Sequence, residues 1–434
     1  MTLELITWSE LGDAQRSDLL QRPAVAGNAA IRKAAAEIVA QVRKRGDSAL
    51  RELTQKYDRA RISDFRVTAD EIAVAAEQLT QGQVDAIDLA IRNVRRFHEQ
   101  QRPQQLRVET MPGVVCERVS HALDAVGMYV PAGTAPLPSA AIMLAVPAAI
   151  AGCPTKILCT PPRPDGSADP AVLVAATRAG VEDIYKIGGA QAIAAMAYGT
   201  ESVPKVCKVF GPGNAWVTSA KSLVSGDPGG AAIDMPAGPS EVLVIADADA
   251  SAEFVAADLL SQAEHGADSQ VVLVTTSREL ANKVVAQLDL QLAELSRARI
   301  ARESLEHARI FIVADIGTAV SVSNRYAPEH LILQVGDARA LLPSLRNAGS
   351  VFVGRWTPEA VGDYCSGTNH VLPTYGFART YSGLGLDQFM RQMTVQELSR
   401  EGLAGLGDAV VSLASMEGLD AHAEAVRRRL SSTS

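Results

Sequence analysis

Apolar and polar positions follow two different periods along the chain, and the change between them divides the sequence. In residues 28–58 and 69–101, apolar side chains recur three and four positions apart, the spacing of one face of an α-helix. We therefore predict an amphipathic helix over each range. Arg92, Arg95 and Arg96 lie beside apolar neighbours in the second range, and a solvated helix face is the simplest interpretation of this basic cluster.

From about residue 124 the pattern changes to short apolar segments that alternate with Gly/Pro turns and Ala-rich segments. This strand–helix alternation predicts parallel α/β sheets, one over 124–236 and another over 241–354. The predicted strands are 156–160, 183–189, 208–214, 241–247, 270–276, 309–315, 330–335 and 350–354, and the predicted helices are 170–180, 190–199, 249–265, 277–297 and 316–326. Past Tyr381 the pattern becomes helical and polar. This tail is too short to form a hydrophobic core by itself, so we expect it to pack on another surface, such as that of a second subunit.

Composition excludes several classes of protein. Of 434 residues, 47% are apolar and 21% are charged, which is typical of a globular protein with several buried cores. The net charge is -8 and both signs are interleaved, so we expect no nucleic-acid partner, which would need clustered Lys and Arg. The five cysteines are odd in number and lack a C-x-x-C spacing, which favours a reducing compartment.

Neither a secretory segment nor a membrane span is expected. The N-terminal residues lack a basic region followed by an apolar core, so we expect a cytoplasmic protein. Residues 125–155 carry no charge, but they contain five prolines, and their longest apolar run, 140–152, is too short to cross a bilayer.

Two glycine-rich turns are candidates for nucleotide binding. IGGAQA (187–192) and FGPGNAWV (210–217) each follow an apolar strand and begin a helix, where α/β sheets bind phosphate groups. Neither matches G-x-G-x-x-G, and no acidic residue follows at the usual distance to bind a ribose. Glycine is also needed at such turns for backbone conformation alone. The turns therefore leave both interpretations open.

The polar residues that suggest catalysis or metal binding are few. Gln262 and His265 stand three positions apart at a predicted helix end, so they share a face on which zinc could bind, although a solvated helix end explains them equally well. Glu329 and His330 precede a strand and pair a carboxylate with an imidazole, as general base chemistry requires. Both face one site only if the chain bends there, because adjacent strand residues point to opposite faces.

Further candidates lie in a polar loop and in the tail. The loop over 362–376 holds Asp363, a possible metal ligand, and His370, a possible ligand for an anion or substrate. Polar loops usually have no such role, so on spacing alone a loop without function is the preferred explanation of both residues. In the tail, Glu417 and His422 would complete a site between chains if this segment reaches a second subunit.

Several sequence blocks, in order along nearly the whole chain, resemble the histidinol dehydrogenase family. The most specific is IDMPAGPSEVLVIADADASAEFVAADLLSQAEH (233–265), in which AGPSE and QAEH keep a long fixed spacing. The others are MYVPAGTAPLPS, FGPGNAWVT, NRYAPEHL and VGDYCSGTNHVLPT. No departure from the family pattern is seen at the candidate positions.

The resemblance implies a role for each candidate residue. His330 would transfer protons as the base, and Glu329 would activate water. One zinc ion per subunit would be held by Gln262, His265 and Asp363, with His422 of the partner. The implied substrate contacts are Ser240, Gln262, His265, His330, Asp363, His370, Glu417 and His422. The implied NAD contacts are Tyr129, Gln191 and Asn214.

The implied fold is α/β, with two domains built on incomplete Rossmann-like parallel sheets, as in aldehyde dehydrogenases, plus small N- and C-terminal helical pieces. The resemblance also implies a homodimer whose subunits share each active site. On this basis we divide the chain into an N-terminal extension (1–25), a first α/β domain (26–123 and 237–381), a second, NAD-contacting α/β domain (124–236) and a tail that docks on the partner subunit (382–434).

The implied activity is the four-electron oxidation of L-histidinol through L-histidinal to L-histidine with two NAD molecules, at the end of histidine biosynthesis. A related zinc- and NAD-dependent dehydrogenase of another small polyol, such as a sulfonated diol, is the main alternative. A non-catalytic zinc scaffold is a further alternative. An aldehyde dehydrogenase with a nucleophilic thiol would have to use Cys365.

Overall fold

The computed structural model describes residues 3–23, 28–132, 135–236 and 238–432. The strands are β1 Leu5–Thr7, β2 Leu106–Met111, β3 Val114–Ala122, β4 Ala125–Tyr129, β5 Thr155–Thr160, β6 Asp183–Lys186, β7 Lys208–Phe210, β8 Ala232–Ile233, β9 Glu241–Ala246, β10 Gln270–Thr275, β11 Arg309–Ile312, β12 His330–Gln334, β13 Ser350–Val353 and β14 Met390–Leu398. The helices are α1 Asp13–Leu19, α2 Asn28–Arg45, α3 Asp47–Tyr57, α4 Ala69–Glu77, α5 Gln81–Glu99, α6 Pro138–Ala151, α7 Pro170–Arg178, α8 Gly189–Tyr198, α9 Ala215–Ser225, α10 Ala252–Ala263, α11 Arg278–Leu292, α12 Ala298–Leu305, α13 Ile316–Tyr326, α14 Glu359–Tyr364, α15 Arg400–Met416 and α16 Asp420–Ser431.

Two parallel sheets form the two α/β domains, as predicted. The first has five strands in the order β6-β5-β4-β7-β8, and the second has six in the order β1-β11-β10-β9-β12-β13. All their strand pairs are parallel. The central strand β9 is buried along its whole length, because helices cover both faces of such a sheet and leave no polar side. The predicted fold class is thus confirmed.

The uncharged segment 125–155 contains strand β4 and the short buried helix α6, which packs on the five-stranded sheet. Helix α6 begins with a proline in its first turn and ends at Gly152, whose φ of 79° is the left-handed conformation that glycine adopts easily. Among the described residues, no helix combines the length and the apolar composition needed to cross a membrane.

The two long helices predicted near the N-terminus are wrong, because each range forms two helices. Gly46 has a φ of 51° and separates α2 from α3, and this positive φ interrupts the helical hydrogen-bond pattern. Thr80 begins α5 as a capping residue, and its main-chain N–H donates to Gln83 Oε1 at 2.9 Å. Helix α12 was not predicted.

These N-terminal helices pack on the five-stranded sheet. Helix α2 contacts α8 and α9, α5 contacts α6, and α4 contacts α7. Our sequence-based division grouped residues 26–123 with 237–381, whereas this packing joins α2, α4 and α5 to the layer around 124–236. The exact domain boundaries stay a prediction.

The tail contains a strand where the sequence analysis predicted helix. Strand β14 pairs antiparallel with β3, and the resulting sheet has the order β14-β3-β2. This pairing joins residues far apart in sequence, so the local pattern does not reveal it. Both outer strands are largely exposed and present apolar side chains to solvent, among them Leu106, Val108, Met111, Met393, Val395 and Leu398.

A buried ion pair ties the N-terminal segment to the six-stranded sheet. Arg22 donates to both carboxylate oxygens of Glu241, from Nε to Oε2 at 2.6 Å and from Nη2 to Oε1 at 2.9 Å. Its guanidinium stacks 3.8 Å from the centre of the Tyr326 ring, and the Tyr326 hydroxyl donates to Glu241 Oε2 at 3.1 Å. Glu241 is 1% exposed, so its charge depends on these partners.

We predict that Arg22→Met lowers the free energy of unfolding by about 3–5 kcal/mol, because it leaves a buried carboxylate without its cation. The matched control is Arg299→Met, which breaks the exposed pair of Arg299 with Glu303 on α12 and should cost at most about 1 kcal/mol. Urea unfolding followed by circular dichroism measures both changes. Equal effects of the two substitutions would contradict the prediction.

Candidate active site

A cavity of about 930 Å³ lies where the two parallel sheets face each other. The five-stranded sheet contributes the residues that follow its strands, including Tyr129, Gly189 and Asn214. The six-stranded sheet contributes residues that precede its strands, Ser240 before β9 and Glu329 before β12. The carboxyl edge of one sheet thus faces the amino edge of the other across the cavity.

Glu329 and His330 share one site because the chain bends just before them. Ala327 has a φ of 56°, a left-handed conformation that is rare for a residue with a side chain. Glu329 Oε2 accepts a hydrogen bond from the Glu241 main-chain N–H at 3.0 Å, and His330 Nδ1 lies 3.2 Å from the Glu241 main-chain oxygen. The carboxylate and the imidazole come within 3.7 Å of each other.

Two more carboxylates surround the imidazole of His330. Asp363 Oδ1 lies 3.7 Å from Nε2, and Glu359 Oε1 lies 3.9 Å from Nδ1. The sequence analysis missed Glu359, which is 1% exposed. Glu359 stands four residues before Asp363, which puts both on one face of α14. This spacing is the feature of the sequence that could have identified Glu359.

The same carboxylates adjoin the predicted ligands at the end of α10. Single donor atoms of His265, Glu359 and Asp363 lie within 4.8 Å of one another. Gln262 is buried beside them, and with its amide nitrogen toward Glu359 it donates to Oε2 at 3.0 Å. Helix α10 ends at Ala263, so His265 reaches the cluster from the turn after the helix rather than from the helix face.

Burial and mutual charge set the protonation of the cluster. Burial raises the pKa of Glu329 and of Glu359 to about 8 in each case, against the opposing charge of His330. Burial acts to lower the pKa of His330, but Glu359, Glu329 and Asp363 outweigh it and raise that pKa well above its usual value. Burial also acts to raise the pKa of Asp363, yet His330 holds it below the usual value. The protonation of these three carboxyl groups and of the His330 imidazole is therefore coupled.

Two imidazoles beside the cluster are kept neutral. Desolvation lowers the pKa of His370 and also that of His265, although part of the His265 surface is exposed, and the charge of Asp363 only partly opposes this effect. Neutral imidazole is the form that binds a metal ion or accepts a proton. The buried Nε2 atoms of His330 and His370 have no hydrogen-bond partner within the protein, which is costly unless a ligand completes them.

The predicted NAD contacts shape the two glycine turns. The Tyr129 hydroxyl accepts from the Gly189 N–H at 3.0 Å, and Asn214 caps α9 through its side-chain oxygen, 3.1 Å from the Trp216 nitrogen. Gly211 has a φ of 119°, and a Cβ there would collide with the main-chain oxygen of Tyr129. These turns approach the cavity with backbone alone, and Gln191 lies beside them on its wall.

Not every candidate residue reaches the cavity within one chain. Ser240, His265, Glu329 and His370 line it, whereas Gln262, His330 and Asp363 are not among its lining residues. Glu417 and His422 are exposed on the tail and are also absent from its walls. Cys365 packs against the apolar core and does not line the cavity either. The roles assigned to individual residues stay predictions.

Comparison with known proteins agrees over the full chain. The sequence model of the histidinol dehydrogenase family matches residues 21–430. The chain is 54% identical to the histidinol dehydrogenase of Vibrio vulnificus (strain YJ016) over 99% of its own length and 98% of the relative's. It is 55% identical to that of Xanthomonas oryzae pv. oryzae over 99% of each chain.

A solved structure gives the same result at the level of the fold. The crystal structure of histidinol dehydrogenase from Elizabethkingia anophelis superposes with a TM-score of 0.93 at 42% identity, and it covers 99% of this chain and 98% of that one. The resemblance seen in the sequence blocks is confirmed, and the chain belongs to the histidinol dehydrogenase family.

Proposed function

We propose that this protein oxidises L-histidinol through L-histidinal to L-histidine, with NAD as the electron acceptor and zinc at the site. The observation that carries the proposal is the pairing of Glu329 with His330, both anchored on Glu241 beside a metal-type donor cluster. As the end of a biosynthetic route, the reaction fits a cytoplasmic protein. No structural feature favours the sulfonated-diol or scaffold alternatives.

The donor cluster fits a divalent ion. It brings three carboxyl groups, those of Glu329, Glu359 and Asp363, around one imidazole. Burial raises the pKa of Glu329 and Glu359, and a bound cation would stabilise their ionised forms. Nitrogen and oxygen donors suit zinc. Gln262, His265 and Asp363 would hold it, with Glu359 as a further donor, and when bound it supplies a template for the substrate's amine and imidazole nitrogens.

The opposite wall of the cavity fits a dinucleotide. Helices α8 and α9 both begin at the cavity, and their N-terminal N–H groups attract phosphate. Gly211 lets the second turn pack directly against the main-chain oxygen of Tyr129, with which a Cβ would collide. Tyr129, Gln191 and Asn214 lie on this wall and would contact NAD, which supplies the hydride acceptor in both oxidation steps.

The carboxylates around His330 raise the pKa of its imidazole, and a bound divalent cation would oppose their charge and favour the neutral form. In the first step, this neutral His330 accepts the proton of the substrate hydroxyl while the carbon loses a hydride. Nε2 is the nitrogen free to do so, since it has no partner within the protein. The nearby carboxylates of Glu359 and Asp363 stabilise the imidazolium that forms. Base catalysis of this kind contributes roughly 10²–10⁴-fold to a rate.

In the second step, water adds to the aldehyde and the resulting diol loses another hydride. Glu329 in its ionised form, which its raised pKa of about 8 favours at alkaline pH, takes the proton from the attacking water, and His330 takes the proton from the diol hydroxyl. The carboxyl group of Glu329 lies 3.7 Å from the imidazole, so both groups act on one bound molecule. A site that retains the aldehyde also limits its side reactions.

A homodimer would supply the remaining contacts. The exposed apolar strands β2 and β14 offer a surface for a second copy. Glu417 and His422, which lie outside the cavity of their own chain, would then enter the cavity of the partner. This arrangement accounts for substrate and zinc contacts that one chain alone leaves incomplete.

We predict two NADH per L-histidinol consumed by the unaltered protein, and a loss of the second step in Glu329→Gln. The variant should oxidise L-histidinol to the aldehyde at a near-normal rate, because His330 is intact, while L-histidinal oxidation falls roughly 10²–10⁴-fold. Single-turnover absorbance at 340 nm with each substrate measures both steps.

Glu253→Gln is the matched control, since Glu253 is exposed at the start of α10. It should leave both steps unchanged. Equal losses of both steps in Glu329→Gln would remove Glu329 from water activation, and a yield of one NADH in the unaltered protein would reject the four-electron reaction.

For the metal, we expect His265→Asn to lose zinc on dialysis, because an amide replaces a neutral imidazole donor. His307→Asn, a change of the same type outside the cluster, should retain stoichiometric zinc. Atomic absorption on the dialysed proteins gives the content directly. Full zinc in His265→Asn would exclude His265 as a ligand, and full zinc in Glu359→Gln would exclude Glu359.

For the shared site, we predict that mixing two inactive variants restores activity. In a dimer of His330→Asn with His422→Asn, one site would keep both native residues and the other neither. The isolated mixed dimer should therefore have about half of the normal activity, and an unseparated mixture with random pairing about a quarter. Co-expression with two affinity tags and a rate assay tests this, and an inactive mixed dimer would show that the tail serves its own chain.

A further inference from the structure

Asp58 brings a carboxylate to the cavity wall from an unexpected part of the chain. It is the residue at which α3 ends, and it lies beside the turn that begins α8. The Gln191 amide donates to its Oδ2 at 3.4 Å, and a Cβ on Gly188 would lie 3.1 Å from its Oδ1. The carboxylate therefore stands directly against the first glycine turn.

This carboxylate has little to bind within the protein. No Lys or Arg of the described ranges lies within ion-pair distance of it, and its bond from Gln191 is long. Burial raises the pKa of Asp58 to about 6, so keeping it ionised at neutral pH costs stability. A carboxylate has about four acceptor positions, and most of these are left for a ligand that donates hydrogen bonds.

The position beside a glycine turn indicates the kind of donor. In dinucleotide-binding sheets, the helix after such a turn receives the pyrophosphate, and a nearby acidic side chain accepts hydrogen bonds from the ribose hydroxyls. That acid normally follows the turn by about 20 residues, and after the first glycine turn this chain has none there. After the second turn Asp234 stands at this distance, but it is paired with Lys221. Asp58 occupies the equivalent place in space, supplied by the N-terminal helical layer.

The location within the cavity indicates which ribose it is. The nicotinamide has to reach the substrate beside His330 on the six-stranded sheet. Asp58 lies at the other sheet, next to the turn that follows β6, and β6 is an edge strand of that sheet. A dinucleotide that extends from one wall to the other would bring its adenosine to Asp58.

The charges around this end of the cavity also exclude a second phosphate. The cations on the cavity wall are Lys221 and Arg297. Lys221 is committed to a buried ion pair with Asp234 and to the main-chain oxygen of Gly211, and Arg297 follows α11 on the six-stranded side. Lys56 and Arg59, which are close to Asp58 in the chain, are exposed and do not line the cavity. Among the residues that line the cavity, none is therefore a free cation beside Asp58 that would balance a phosphate on the ribose.

We propose that Asp58 accepts hydrogen bonds from the adenosine ribose hydroxyls of NAD and thereby selects NAD over NADP. This inference rests on the proposed dehydrogenase function and adds a coenzyme-specificity residue to it. Asp58 binds the 2′-hydroxyl when it is free and repels the same oxygen when it carries a phosphate. Loss of a hydrogen bond to a charged group of this kind lowers affinity roughly 10- to 100-fold.

The test compares both coenzymes in Asp58→Asn at saturating L-histidinol. We expect KM for NAD to rise roughly 10- to 100-fold, with KM for NADP unchanged or lower, so that the preference for NAD falls. Asp58→Glu, which keeps the charge, should retain part of the preference. Asp64→Asn, a change of the same type at an exposed position nearby, should behave as the unaltered protein does.

A binding measurement separates this inference from the proposed function. Calorimetric titration with ADP-ribose and with its 2′-phosphate needs no turnover, so it reports on Asp58 even if L-histidinol is not oxidised. We expect the unaltered protein to bind ADP-ribose more tightly than the phosphorylated form, and Asp58→Asn to lose this difference. An unchanged difference in Asp58→Asn, or an equal loss of affinity for both compounds in both Asp58 variants, would overturn the assignment.

Discussion

The main chain of Glu241 holds the two residues on which the proposed chemistry depends. Its N–H binds the carboxylate of Glu329 and its carbonyl oxygen lies next to the imidazole of His330, while Arg22 fixes its side chain from the opposite direction. Pairing of β9 with β12 places His330 opposite Val242. A shift of that register by one residue would turn the imidazole to the other face of the sheet. The position of the imidazole in the site therefore depends on the strand register.

The two walls of the cavity differ because one is the carboxyl edge of a parallel sheet and the other is the amino edge of a second sheet. A parallel sheet offers helix N-termini at its carboxyl edge, and these suit phosphate groups. The six-stranded sheet instead uses its amino edge, where strand-entry residues such as Glu329 are set by turns rather than by the pleat. A ligand that reaches both edges meets an anion-binding wall at one end and a proton-transferring wall at the other, which is what a dinucleotide-dependent oxidation requires.

Local pattern predicted the parallel sheets well, because buried strands and their covering helices carry their periodicity within a few residues. It failed where a single residue or a distant partner decides the structure. The positive φ of Gly46 divides α2 from α3, and β14 becomes a strand only by pairing with β3. In the site, the bend at Ala327 and the approach of Glu359 are tertiary properties. The spacing of Glu359 from Asp363 is visible in the sequence, but the sequence does not show that both side chains lie beside His330.

Burial of the acids around His330 bears on how one site performs two unlike steps. An isolated buried imidazole would resist protonation, since burial disfavours its charged form, but three adjacent carboxylates reverse that preference. With His330 as the proposed base, these carboxylates would stabilise the imidazolium formed in each oxidation. Water addition between the oxidations needs a different base, and Glu329 is already within 3.7 Å of the ring. In the proposed mechanism both bases lie beside one bound molecule, so the aldehyde would remain bound until it is consumed.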